Sequence, residues 1–232
     1  MSLPSFRRST VAISVAAGAW IGLGSLLIQP AIPEDPSEYV GVLANSPGAA
    51  VGIQLFVASQ VFWAIGLVGF GHLAARRSRV LATFGAALSG LGAFGHAVYG
   101  GALLLQLALA GSDPDAAASA LAVGESTVFV PYLVLGLAGT VLGLVLLAVA
   151  AIRARIAPLW VPIALLAWVV VEFVLPNFVA WSSYLSLVVG VVVFGALAVA
   201  VWRSGLDDWR TEAESGATEP AVSDVEASAV GR

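Results

Sequence analysis

The chain has 232 residues, no cysteine and no lysine, and a formal net charge of −4. Hydrophobic residues make up 59% of it and charged residues 10%, against about 25% charged in soluble domains; this excludes a disordered chain and argues against a water-soluble globule. Without cysteine there is no disulfide, no thiolate nucleophile and no Cys-ligated metal.

Apolar runs recur that are long enough to cross a bilayer, which takes about 20 residues. In chain order, they predict six spans, at residues 10–29, 50–73, 80–110, 128–152, 159–175 and 184–202. Arg7 and Arg8 precede the first, which is too long for the apolar region of a signal peptide. The segment after it reads Pro30-Ala31-Ile32-Pro33-Glu34-Asp35-Pro36-Ser37-Glu38. Asp35 as N-cap, Pro36 in the first helical position and Glu38 two residues on predict a short helix to about Ala44, with Tyr39, Val42 and Leu43 on its apolar side. Ser46-Pro47 restarts the chain as span two, and Arg76, Arg77 and Arg79 separate it from span three. Gly100-Gly101 predicts a kink in span three. Asp113-Pro114-Asp115 then starts a second short helix running to Val123. Two hairpins, each crowned by a short helix, read either as ordinary capped loops or as a lid over a cavity.

Arg153 and Arg155 separate spans four and five, and Arg203 and Arg210 follow span six. All the positive charge thus falls in alternate connections. The other connections hold Glu34, Asp35, Glu38, Asp113, Asp115 and Glu125 and no arginine. Arginine is retained in short cytoplasmic loops, so both termini are expected in the cytoplasm and the chain in the plasma membrane as a multi-pass protein. The expected fold is an all-α integral membrane protein with six transmembrane helices in one bundle and short interfacial helices in the first two outer loops. Its domains are a cytoplasmic N-terminus (1–9), the transmembrane domain (10–203) and an acidic tail (204–232). From Arg203 onward the chain carries the whole net charge of −4, and after Trp209 it lacks hydrophobic periodicity, so disorder is expected there.

In lipid, small and polar residues mark packed helix faces. Span one shows Ser14, Gly18, Gly22, Ser25 and Gln29 at near-helical spacing. Span three shows Gly85, Ser89, Gly92, His96, Tyr99 and Gln106, and span four shows Tyr132, Gly136, Gly139, Thr140 and Gly143. Tight packing accounts for nearly all of them.

Glu172 and His96 stand out, because an ionisable group inside a span costs about 3 kcal/mol on insertion scales. At 1.5 Å per residue, His96 lies ~24 Å above the inner edge, and Glu172 and Gln60 each ~20 Å. A Glu, a His and a Gln from three helices can therefore share one level in the outer half, with Tyr99 slightly further out. No arginine reaches that depth, so His96 is the only candidate cation for Glu172. The pair would bind a polar head group, carry protons or act as acid and base. The bland alternatives are that Glu172, four residues before Pro176, snorkels to the outer interface, and that His96 donates to a backbone carbonyl. His72 sits at the inner end beside the arginines; its level is about 12 Å from that of His96, so the two make a poor haem pair. No metal or other cofactor is expected, and there is no basic surface for nucleic acid.

The proline-rich acidic segment after span one, then Leu43-Ala44-Asn45-Ser46-Pro47-Gly48, the Arg-rich inner loops and a Gly/Ala/Leu/Val body together resemble small uncharacterised six-span membrane proteins of high-GC bacteria. That resemblance implies the fold and brings no activity. Three functions stay open. The first is a binding or transport component for a small amphipathic or lipid-like ligand in an outward-facing cavity bounded by spans two, three and five, with His96, Glu172, Gln60 and Tyr99 as ligand-binding residues. The second is an intramembrane enzyme using Glu172 and His96 as acid and base. The third is a structural or accessory subunit of a membrane complex that presents its helices or its acidic tail to a protein partner. The lipid bilayer is a partner in all three.

Overall fold

The computed structural model describes residues 2–30, 36–123, 129–179 and 181–210. Every regular element among them is helical: α1 (Leu3–Ile28), α2 (Pro36–Asn45), α3 (Ala49–Ser112), α4 (Pro114–Val123), α5 (Val130–Ala154), α6 (Trp160–Phe173) and α7 (Ser182–Arg203), with 3-10 turns at Leu175–Asn177 and Leu206–Trp209. Five helical segments are long and apolar enough to cross a membrane: α1, α3, α5, α7, and α6 together with the turn that follows it. The predicted cap at Asp35, the acid Glu125 and the tail from residue 211 lie outside the described residues.

The 64 residues of α3 would measure about 96 Å if straight, three times the thickness of a bilayer core. They are not straight. At Ser78 the backbone leaves the helical region (φ −143°, ψ 58°), and the chain doubles back. Gly71 then lies against Ala82 and Ala86, Gly90 against Val68, and Gly100 against Phe56 and Val57. The halves 49–77 and 79–112 form an antiparallel hairpin. The loop expected between spans two and three is thus reduced to one non-helical residue. The kink expected at Gly100-Gly101 is absent, since Ser78 holds the one departure from helical geometry within α3. Gly100 serves close approach instead: a Cβ there would lie 2.5 Å from the Val57 side chain.

The helices close into a ring. α1 packs on α3 and α7, α7 on α6, α6 on α5, and α5 on α3. The seam between α5 and the second half of α3 is the tightest, because glycines face each other across it. A Cβ on Gly95 would stand 2.4 Å from the Gly136 nitrogen, and one on Gly92 2.5 Å from the Thr140 nitrogen. Small residues let backbones approach, and the gain is van der Waals contact that lipid cannot supply.

The two ends of the bundle differ. At one end stand the arginines. There a dry core of Val15, Phe70, Leu147, Leu165, Leu197 and Val201 fills the ring, and the chain beyond α7 folds across it. Trp209 is 1% exposed, and its Nε1 donates to Ser204 Oγ at 2.8 Å. Arginines from two other helices hold this segment by its backbone carbonyls: Arg7 on Trp209 (3.0 Å), Arg8 on Ser204 (3.1 Å) and Arg76 on Arg210 (2.7 Å). The described structure reaches Arg210, because a buried indole anchors this segment. At the acidic end, α2 and α4 lie over the α3 hairpin. Tyr39, Val40 and Leu43 are buried with Ile53, Leu103, Ala110 and Ala117, so Val40 takes the buried place expected of Val42. Asp113 caps α4 by accepting from the Ala116 N–H at 3.0 Å.

Candidate functional site

A cavity of about 190 Å³ interrupts the packing between mid-bundle and the acidic end. All five long helical segments contribute to its wall, and both halves of α3 do so. It is therefore enclosed by more of the bundle than spans two, three and five alone. Gln60, His96 and Glu172 all line it, so three of the four residues singled out in the sequence meet in one space. Tyr99 does not line it. It packs beside the cluster under α2, facing Tyr39. Among the described residues neither α2 nor α4 lines the cavity; their apolar faces pack on Ile53, Leu103 and Ala110.

Glu172 stands in the last turn of α6, just before the helix gives way to the 3-10 turn around Pro176. Its Oε2 accepts a short hydrogen bond from the Ser186 hydroxyl on α7. One turn earlier on α6, Trp168 Nε1 donates to the Ser186 carbonyl at 3.0 Å. Two side chains of one α6 face thus grip a single serine, which fixes the carboxylate's position. No hydrogen bond reaches the other oxygen, Oε1, and no basic side chain pairs with Glu172 among the described residues.

His96 is held differently. The glycine seam brings its ring over Gly136, with Nδ1 3.4 Å from Thr140 Oγ1 and Phe56 edge-on at 6.1 Å between ring centres. The expected Glu172–His96 pair is not formed; the two face the same cavity from different walls, each with its own hydroxyl partner. Gln60 is buried, and its Nε2 donates to Ser59 Oγ at 3.1 Å and to the Phe56 carbonyl at 3.3 Å. Ser89, also on the wall, is 1% exposed, and its hydroxyl has no hydrogen-bond partner. His72 lies at the arginine end, 6.4 Å from the Trp209 ring between centres, and takes no part.

Aromatic rings complete the wall. Trp63 and Trp168 both stack edge-to-face on Phe194, at 4.3 and 4.9 Å between ring centres. The site is thus an apolar, ring-lined space with a few fixed polar groups on different walls, the usual build of a small-molecule pocket. Among the described residues no group of three or more His, Asp or Glu is placed to hold a metal ion.

Sequence reading missed Ser186, Trp168 and Trp63. Trp168 and Glu172 are one helical turn apart, which places them on one face of α6. Nothing local tells that α7 brings Ser186 between them. Comparison with protein-family models, with curated proteins and with solved structures finds no match to this chain.

Proposed function

We propose that this is a six-span plasma-membrane protein, with both termini cytoplasmic, that binds or passes a small amphipathic molecule entering from the outer, acidic end. The two halves of α3 count as two crossings in this reading, which reconciles one continuous helix with six spans. The observation that carries the function is the cavity itself: a ring-lined space holding Glu172, His96 and Gln60 inside the bundle. The plug of Trp209 and the arginine-held segment at the opposite end supports entry from the acidic side.

Gly22 offers a direct test. It lines the cavity, and a side chain placed there meets nothing within 4 Å. Gly22→Phe is expected to fill the space, since its Cβ meets no neighbouring helix. A thermal-shift screen of small amphipathic compounds on the purified protein is expected to find ligands that stabilise the wild type and not Gly22→Phe. Compounds that stabilise both equally would place binding elsewhere and end this reading. An acid–base enzyme has less support, since no hydrogen bond joins Glu172 to His96.

A further inference from the structure

Among the described residues the cavity wall holds one carboxylate and no arginine. Glu172 has neither arginine nor His96 as an ion-pair partner, and Oε1 is free of hydrogen bonds among the described residues. A carboxylate in a membrane interior is costly unless something compensates it. Here the protein supplies one hydroxyl, from Ser186. Aromatic rings share the wall: Trp168 on the same helix face, with Phe194 packed against it and against Trp63. Aromatic faces attract cations electrostatically and also accept alkyl groups, which suits a charge spread over carbon-bearing nitrogen. A metal ion is a poor match, because hard cations require six or more oxygen ligands and this wall has too few.

We infer that the cavity takes a small organic cation, with its charge set against the Glu172 carboxylate and its alkyl groups against the tryptophan rings. This rests on the cavity's being a ligand site and names the class of ligand. The size fits: about 190 Å³ holds a choline-sized or benzylammonium-sized molecule. Ser89, buried in the cavity wall with a hydroxyl unpartnered among the described residues, offers a hydrogen bond to a polar substituent of such a ligand.

The test uses the purified full-length chain in lipid nanodiscs and tryptophan fluorescence, since Trp63 and Trp168 line the space. Choline and benzyltrimethylammonium are titrated against their neutral isosteres, in which carbon replaces the charged nitrogen. The expected result is binding of the cations with a preference of about tenfold or more over the isosteres. Glu172→Gln keeps the size of the side chain and a carbonyl that accepts from Ser186, and it is expected to abolish the preference. Glu172→Asp, which retains the charge, is expected to keep part of it. If cation and isostere bind equally to the wild type, or if Glu172→Gln leaves the preference intact, the cation inference is overturned while the cavity remains a ligand site. If neither class binds wild type any better than Gly22→Phe, both ideas fall together.

Discussion

Single glycines in this bundle have opposite surroundings, and the consequences are opposite too. Gly22 faces open space, while Gly136 lies under His96, with the His96 backbone nitrogen 3.1 Å from where a Cβ would be. Gly22→Ala is expected to change stability by less than about 0.5 kcal/mol. Gly136→Ala overpacks the α3–α5 seam, and about 1–3 kcal/mol of destabilisation is expected. Unfolding midpoints in one fixed detergent would compare the two; equal effects would contradict the seam. Tyr39 carries a pH effect at the acidic end. Burial, with Tyr99 adding to it, pushes its phenol from the ordinary 10.0 up to about 12. The folded state therefore holds the proton more tightly than the unfolded state. Its contribution to stability is complete below pH 10.0 and is lost as pH rises through about 12. A phenolate absorbance titration of wild type minus Tyr39→Phe is expected to show this late step, and a step near 10 would refute it.

Elements here end for reasons that differ in legibility. The start of α4 was readable from Asp113-Pro114 alone, because the side-chain cap and the proline are local. Asp113→Ala is expected to cost about 1 kcal/mol and to speed hydrogen exchange in α4 selectively. The turn in α3 was not readable in the same way. Arg76, Arg77 and Arg79 suggested a loop, yet both helices keep their geometry up to Ser78. Arg77 Nη1 reaches the Ala154 carbonyl at the end of α5, 2.9 Å away, so that arginine is spent on a neighbouring helix end. The segment after α7 shows the same limit. Nothing in its local sequence tells that Trp209 is buried against the ring. Trp209→Ala is expected to destabilise the arginine end by about 3–5 kcal/mol. Proteolysis at Arg210 would rise with it, and an unchanged cleavage rate would mean that the indole does not anchor the segment.

At the scale of the molecule, the lack of native cysteine makes orientation directly measurable. Asn45→Cys, exposed at the end of α2, is expected to react with a membrane-impermeant maleimide on intact cells. Arg155→Cys, exposed at the end of α5, is expected to react only after permeabilisation. The reverse pattern would invert the protein in the membrane. Most of this architecture was legible beforehand: an all-helical chain, apolar segments of membrane length and the separation of basic from acidic ends all follow from composition and charge placement. Those properties are sums over many residues, and each residue adds to them wherever its neighbours lie. Depth arithmetic likewise brought Gln60, His96 and Glu172 to one level, because rise per residue is constant along a helix. Azimuth is another matter. Only the packed ring decided that Glu172 turns to Ser186 and His96 to Thr140, that Tyr99 faces α2, and that a cavity remains between them. Those outcomes depend on how far each helix rotates to bring glycine against glycine, and that rotation is set by contacts between segments far apart in the chain.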